Sequence, residues 1–391
     1  VRGELVDRIM TFDKFSESVV SRHAGADITA FLGVNKLENG TTQDLLVAFA
    51  NGDFFQIQPV LSDPSAHVAR IATNLHSLVQ TDYFVQPFPD DRHGVKDLMI
   101  RENGNILVTV TDIDPNESCL LVKILESTPV DKNQELLFEE IFRSDCVDLS
   151  SGHTGDKVAH MLGARIVEPT QDRIALSLGM ANNYDLPQDP DSQFGKVLEL
   201  RRQHSGRLEV SRTLAQGLRN PQGLDQCDGE YLVSSHGPLG GDELNFIFAE
   251  EEKIDFGFPT VSSGTHYDGS FGDSAPDYAP FYQSHHEYGF RGPSGEWTPS
   301  IAPSQVRIKK DAAAERACLG AQVFLATMGY LDGPGRWSII QGVMDRTGEI
   351  PVFKAVYTWE IGGRVRDIDL ANEGIWFWDE SRGGLGLVLS D

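Results

Sequence analysis

The sequence is short of positive charge. Its 391 residues carry 33 Lys+Arg against 58 Asp+Glu, a formal net charge of −25. Nucleic-acid binders draw their affinity from clustered cations on phosphates, so this balance argues against that class. Long apolar runs are missing too. The longest clusters, such as 45–50 (LLVAFA), are strand-sized, against the roughly 20 residues a bilayer-spanning helix needs. Cysteine is sparse: Cys119, Cys146, Cys227 and Cys318 lie far apart with no Cys-x-x-Cys, which excludes a zinc knuckle or a thioredoxin-like motif. One or two disulfides, or four buried thiols, are compatible with that spacing. Helical periodicity is also scarce, 310–319 being the one short candidate, and this speaks against an α/β fold.

Strand and turn signals are abundant. With 38 Gly and 19 Pro, short runs of Val, Ile, Leu, Phe and Thr are punctuated by Asn-Gly or Asp-Gly turns, the pattern of β-hairpins. Hairpins are expected over 45–57 (turning at Asn51-Gly52), 98–110 (Asn103-Gly104), 165–178 (Gln171-Asp172), 223–234 (Asp228-Gly229), 323–344 and 368–378 (Asn372-Glu373-Gly374). Six hairpins at irregular spacing predict an all-β, six-bladed β-propeller occupying 1–391 as one domain, with an inserted loop region around 260–300.

The two ends of a hairpin emerge opposite its turn, so in a closed ring the hairpin flanks surround one face of the central channel. Those flanks hold Arg92 and His93; His160 and Met180; Arg219, Asn220 and Gln222 with His236, Gly237 and Pro238; and Arg364 and Arg366 with Asp379. Taken alone each has a bland reading. Arg364 and Arg366 alternate as on an exposed strand edge, Gly237-Pro238 is an ordinary loop turn, and a lone histidine is usually a surface or core residue. His285-His286-Glu287 reads as rim, because adjacent side chains on an extended chain point to opposite sides and rarely share one ion.

One succession of motifs is more specific. Gly217-Leu218-Arg219-Asn220-Pro221-Gln222-Gly223-Leu224 is followed, one hairpin later, by Ser235-His236-Gly237-Pro238, then Asp242-Glu243-Leu244-Asn245, then Asp255-Phe256-Gly257-Phe258-Pro259. Further on come Tyr267-Asp268-Gly269, Pro299-Ser300-Ile301-Ala302-Pro303-Ser304 and Arg364-Val365-Arg366-Asp367; upstream, His160 stands three residues before Gly163 and nine before Pro169. This succession resembles the soluble quinoprotein sugar dehydrogenases, the glucose and aldose dehydrogenases that use pyrroloquinoline quinone (PQQ). The likeness runs through roughly residues 150–391.

The resemblance implies a quinone- and calcium-dependent oxidoreductase that oxidises an aldose or related sugar at the anomeric carbon to a lactone. PQQ carries three carboxylates, and guanidinium groups match carboxylates through paired hydrogen bonds. Arg219, Arg364 and Arg366 stand at the family's positions for that task, and Asn220 and Gln222 at those of its neutral partners. The carbonyls of Gly237 and Pro238 match those that hold a catalytic calcium, a hard cation that takes oxygen ligands, while Asp242 and Glu243 resemble a further, structural calcium region. His160 matches the base that removes the sugar hydroxyl proton.

The chain also departs from the pattern. Met180 stands where the family has an aspartate that orients the histidine, a lysine expected near Met328-Gly329 is missing, with Arg336 only a distant candidate, and Arg92 aligns with a family glutamine, where it could replace the lost charge. Those departures keep open a propeller without redox activity, acting as a carbohydrate-binding protein or a calcium-dependent hydrolase or lactonase. The resemblance further implies a small-molecule sugar as partner, a monomer or homodimer, and a periplasmic or secreted location.

Overall fold

All six expected hairpins form, and each belongs to a separate sheet. In the computed structural model the described residues are 9–11, 29–36, 40–60, 63–80, 94–114, 116–129, 135–148, 161–238, 240–248, 250–251, 254–264, 285–309, 318–329, 336–346 and 348–389. The six sheets have four or five strands each. From the channel outward, blade 1 is Ala30–Lys36, Thr42–Phe49, Phe54–Val60 and Asp63–Thr73; blade 2 is Val95–Ile100, Ile106–Asp114, Cys119–Ser127 and Phe138–Arg143. Blade 3 is Gly163–Thr170, Arg173–Leu178, Lys196–Arg202 and Leu208–Gln216; blade 4 is Asn220–Cys227, Glu230–His236, Asp242–Ile247 and Gly295–Trp297. Blade 5 is Pro303–Lys309, Gln322–Thr327, Ser338–Asp345 and Val352–Glu360. Blade 6 is Val365–Ala371, Gly374–Asp379 and Gly384–Leu389, completed by Ile9–Thr11 from the start of the chain. Short segments add parallel pairing outside blades 1 and 3: Glu135–Leu136 and Ile254–Asp255.

The innermost strands touch one another in cyclic order, with blade 6 meeting blade 1, so the ring is closed. Its core is six wedges rather than one mass. Leu107, Val122 and Ile124 of blade 2 pack on Ile166, Leu176 and Leu198 of blade 3, for instance, and Trp376 and Trp378 of blade 6 pack on Leu32 and Val47 of blade 1. Each such buried side chain is worth roughly 1.5–3 kcal/mol, so stabilisation is spread around the ring.

One edge of every innermost strand faces the channel and pairs with no strand among the described residues, yet its buried N–H groups need acceptors. Acidic and amide side chains of neighbouring blades supply them. Asp97 Oδ2 accepts from Ile166 N (2.8 Å), Asp225 Oδ2 from Ile308 N (2.7 Å), Gln305 Oε1 from Leu224 N (3.0 Å), and Asp367 and Asp369 from Leu32 N (2.8 Å) and Val34 N (3.0 Å). Blades are thus laced by polar side chains inside the ring and by apolar ones between the sheets.

The cysteines form two disulfides, Cys119–Cys146 within blade 2 and Cys227–Cys318 between blades 4 and 5. The expected helix over 310–319 falls almost wholly outside the described residues. The region 260–300 is only partly an insertion: Gly295–Trp297 pairs with 242–244 as the fourth strand of blade 4, a role its three residues are too few to signal by alternation. Within the same region His286–Tyr288 is a single 3₁₀ turn, and 265–284 lies outside the described residues. Among the described residues no helix is long and apolar enough to cross a membrane.

Candidate functional site

Arg219 and Arg364 immediately precede the innermost strands of blades 4 and 6, and Arg366 is the second residue of the latter. Two motif glycines let these strands crowd together. A Cβ on Gly223 would stand 2.2 Å from the Ser304 carbonyl oxygen of blade 5, and one on Gly163 would stand 2.1 Å from that of Pro221.

The side chains meet at the channel mouth. Arg366 Nη1 donates to Gln222 Oε1 at 3.3 Å, joining blades 6 and 4, and Gln222 Nε2 donates to Asn220 Oδ1 at 2.8 Å. Arg219 Nη1 donates to the Gly237 carbonyl at 2.8 Å. Arg219, Asn220 and Arg366 are about 5% exposed. His236, across the strand pair from Asn220, donates through Nε2 to the Pro303 carbonyl at 2.8 Å. Burial, together with the charges of Arg219, Arg366 and Arg364, holds its pKa down at about 3 against the pull of that hydrogen bond. The imidazole is therefore neutral at physiological pH, and all three guanidinium groups lie within electrostatic reach of it.

Asp379, on the same hairpin flank, turns away from the arginines: its Oδ2 accepts from Arg382 Nη1 at 2.8 Å. The next residue, Glu380, faces the arginines, accepting from Arg364 Nε (3.0 Å) and from Arg366 Nη2 (2.8 and 2.9 Å), with the Thr29 hydroxyl as a further donor. Sequence reasoning passed over Glu380. The available signal was an acid directly after a strand whose hairpin partner has one arginine just before it and another as its second residue. Where the missing lysine was expected, Arg364 Nη2 reaches Met328 Sδ at 3.7 Å, and the Arg336 guanidinium lies over the Trp337 ring. Among the described residues three guanidinium groups and the Glu380 carboxylate meet here, and the guanidinium donors fit a ligand with several carboxylates.

The Gly237-Pro238 loop is shaped by Asp242, which has no exposed surface. Its Oδ1 accepts from Gly237 N (3.1 Å), and its Oδ2 from Ser300 Oγ (2.6 Å) and the Ile301 and Ala302 amides (2.8 Å each). The carboxylate expected beside a calcium is thus already occupied in tying two loops together. Glu243 Oε2 accepts from Asn245, its Oε1 lies 3.4 Å from His285 Nε2, and Glu296 is its register partner on the adjacent strand. Burial opposes protonation of His285, but Glu243 and Glu296 prevail and hold its pKa above the ordinary value.

Met180 is fully buried with Tyr184 and Phe258, against Met161, and its N–H donates to the Arg219 carbonyl at 2.8 Å. His160 and Arg92, together with His93, lie outside the described residues. A cleft of about 890 Å³ is lined by Ser262, Ser263, His285, Phe290, Arg291 and Arg346, and Arg219, Arg364 and Arg366 are not part of its lining. Among the described residues the one cluster with metal-ligand spacing is Glu117 with Cys119 and Cys146, whose sulfurs are joined to each other.

Comparison with known proteins places this arrangement. Residues 94–387 match the family model described as Glucose / Sorbosone dehydrogenase. Among solved structures, the soluble aldose sugar dehydrogenase of Escherichia coli in its apo form aligns with TM-score 0.67 at 18% identity, over 93% of this chain and 96% of that one. A PQQ-bound aldose sugar dehydrogenase of Streptomyces coelicolor aligns with TM-score 0.59 at 19% identity, over 93% and 95% of the two chains. No curated protein sequence matches significantly.

Proposed function

The chain belongs to the glucose/sorbosone dehydrogenase family, and from that membership we propose that it is a PQQ- and calcium-dependent oxidoreductase that oxidises an aldose or related sugar at C1 to its lactone. The observation that carries the proposal is the convergence of Arg219, Arg364 and Arg366 on one channel mouth in a protein of charge −25. Family membership favours this over a sugar-binding or hydrolytic propeller.

In this reading the three arginines bind the cofactor carboxylates, with Asn220 and Gln222 as neutral partners and Arg92 adding charge. The Gly237 and Pro238 carbonyls hold calcium; a carbonyl oxygen has two lone pairs, and Arg219 takes one of those on Gly237. Glu243, facing Glu296 in register, is better placed than the saturated Asp242 for a further calcium. When bound, the quinone supplies a two-electron acceptor and the calcium a Lewis acid beside it. His160 takes the proton of the anomeric hydroxyl, while the half-buried, neutral His236 braces the Pro303 loop and leaves proton transfer to it. Residues 1–391 are read as one propeller domain, and the two disulfides support a periplasmic or secreted location, where thiols are oxidised.

The test is titration of the apoprotein with PQQ and calcium, followed by absorbance and by dye-linked oxidation of aldoses. A bound-cofactor spectrum and sugar-dependent dye reduction are expected, with Arg219→Ala weakening quinone binding more than tenfold. No binding at micromolar quinone would overturn the proposal.

A further inference from the structure

Beneath the arginines sits another one, almost wholly enclosed, which bonds to the backbone rather than the side chains of Gln222 and Arg366. Arg165, 1% exposed, enters the channel from the innermost strand of blade 3. Its Nε donates to the Gln222 carbonyl at 2.7 Å and its Nη2 to the Arg366 carbonyl at 3.1 Å. Its Nη1 meets Asp97 Oδ1 at 2.8 Å and Asp367 Oδ1 at 3.1 Å, and its guanidinium lies 4.8 Å from the centre of the Phe31 ring. One side chain of blade 3 thereby contacts blades 1, 2, 4 and 6.

We propose that Arg165 is a positioning residue that clamps, from below, the backbone of Gln222 and Arg366 so that their side chains stand correctly at the channel mouth. The role toward the cofactor rests on the reading given above; the clamp itself does not.

The chemistry explains why an arginine is used. A buried ion carries a desolvation cost, and an apolar side chain could fill the same space at equal or lower cost. An apolar side chain, however, cannot hold two carbonyls. Lysine could keep the charge between Asp97 and Asp367, but a single ammonium lacks the rigid planar fork that serves four acceptors in three blades. Gln222 and Arg366 are also joined above by their own side chains, at 3.3 Å, so the pair is fixed from both levels. Sites of this kind need their ligand-facing groups held to a fraction of an ångström by supporting contacts.

The experiment compares Arg165→Lys, Arg165→Met and Asp97→Asn with the parent in the full chain. Hydrogen exchange of the apoprotein reads the clamp without cofactor, and PQQ titration with calcium reads its consequence. Leu176→Ala, a fully buried core change away from the channel, controls for general destabilisation. Arg165→Lys is expected to exchange faster in peptides covering 219–225 and 364–369, with other blades unaltered, and to bind quinone at least about tenfold more weakly, the scale on which supporting contacts of bound groups act. Asp97→Asn, which loosens Arg165 without removing it, should show the same pattern to a smaller extent, and Leu176→Ala should lose stability but keep its quinone affinity. The clamp is overturned if both peptides of Arg165→Lys exchange as in the parent. The positioning role is overturned if its affinity equals the parent's, or if Leu176→Ala loses affinity in proportion to stability just as the Arg165 variants do. Failure of the parent to bind quinone would remove the proposed function and the role toward the cofactor, while the exchange result would still decide the clamp.

Discussion

Arg366 and Glu380 lie side by side as a paired ion contact, with Nη2 2.8 and 2.9 Å from the two carboxylate oxygens and Nε 3.1 Å from one of them. Glu380 has no exposed surface, and it also binds Arg364, so one carboxylate holds both arginines of the blade 6 hairpin in place.

Removing that charge should therefore matter most when nothing else neutralises the arginines. Glu380→Gln is expected to destabilise the apoprotein by roughly 3 kcal/mol, the scale for breaking a buried ion pair from one side. If the proposed function holds, saturating PQQ should recover part of the loss, because its carboxylates would face the same guanidinium groups. Thermal unfolding with and without quinone checks this; an equal fall in both would show that Glu380 acts on the fold alone.

Met180 illustrates a position where the family pattern and the local environment diverge. Its side chain is sealed against Tyr184 and Phe258, whose ring centres are 5.7 Å apart. Met180→Asp would bury a carboxyl among apolar groups, so a loss of roughly 2–4 kcal/mol is expected in denaturant unfolding. A variant as stable as the parent would mean that polar partners reach this pocket.

Lys196 gives a pH-dependent prediction. Its ammonium, 1% exposed, donates to the carbonyls of Leu186 (3.0 Å), Asp189 (2.8 Å) and Phe194 (3.2 Å), folding the 186–194 loop over blade 3. Burial lowers its pKa from 10.5 to about 8 despite the nearby Asp189 and Asp255. Between those values the unfolded chain binds the proton and the folded one does not, so this group's contribution to stability rises with pH from about 8 to 10.5. Lys196→Met lacks that titration, and the stability difference between parent and variant should widen over this window. Parallel curves would place the folded lysine near its ordinary pKa.

The disulfides span 27 and 91 residues, for which chain entropy gives stabilisation of about 3.5 and about 4.6 kcal/mol. Reduction should lower the melting temperature, and Cys227→Ala/Cys318→Ala more so than the pair in blade 2. The opposite order would show that strain or residual structure outweighs loop length.

Much of the architecture was legible because turn chemistry and apolar alternation are local. Asn51-Gly52, Asn103-Gly104 and Asp228-Gly229 each lie in the turn between two paired strands. What escaped were contacts between residues far apart in the chain. Glu380 reaches Thr29 across 351 positions, and Arg165 reaches Asp367 across 202, distances at which no sequence pattern links two side chains. The strand Gly295–Trp297 was hidden for a different reason: three residues have too little alternation to stand out from a loop. The arginines were found by motif, but their shared carboxylate and the clamp beneath them required the ring to be closed in space.

The pairing of Ile9–Thr11 with 386–388 gives the ring a seam rather than a pair of ends. An open array of repeats loses stability from its outermost units inward, each having only one neighbour. Here every blade has two neighbours, and the one with the seam also carries Arg364, Arg366 and Glu380. Peeling the three-residue clasp from blade 6 would expose the edge of the sheet that bears those residues, coupling the melting of the seam to loss of the arginine cluster.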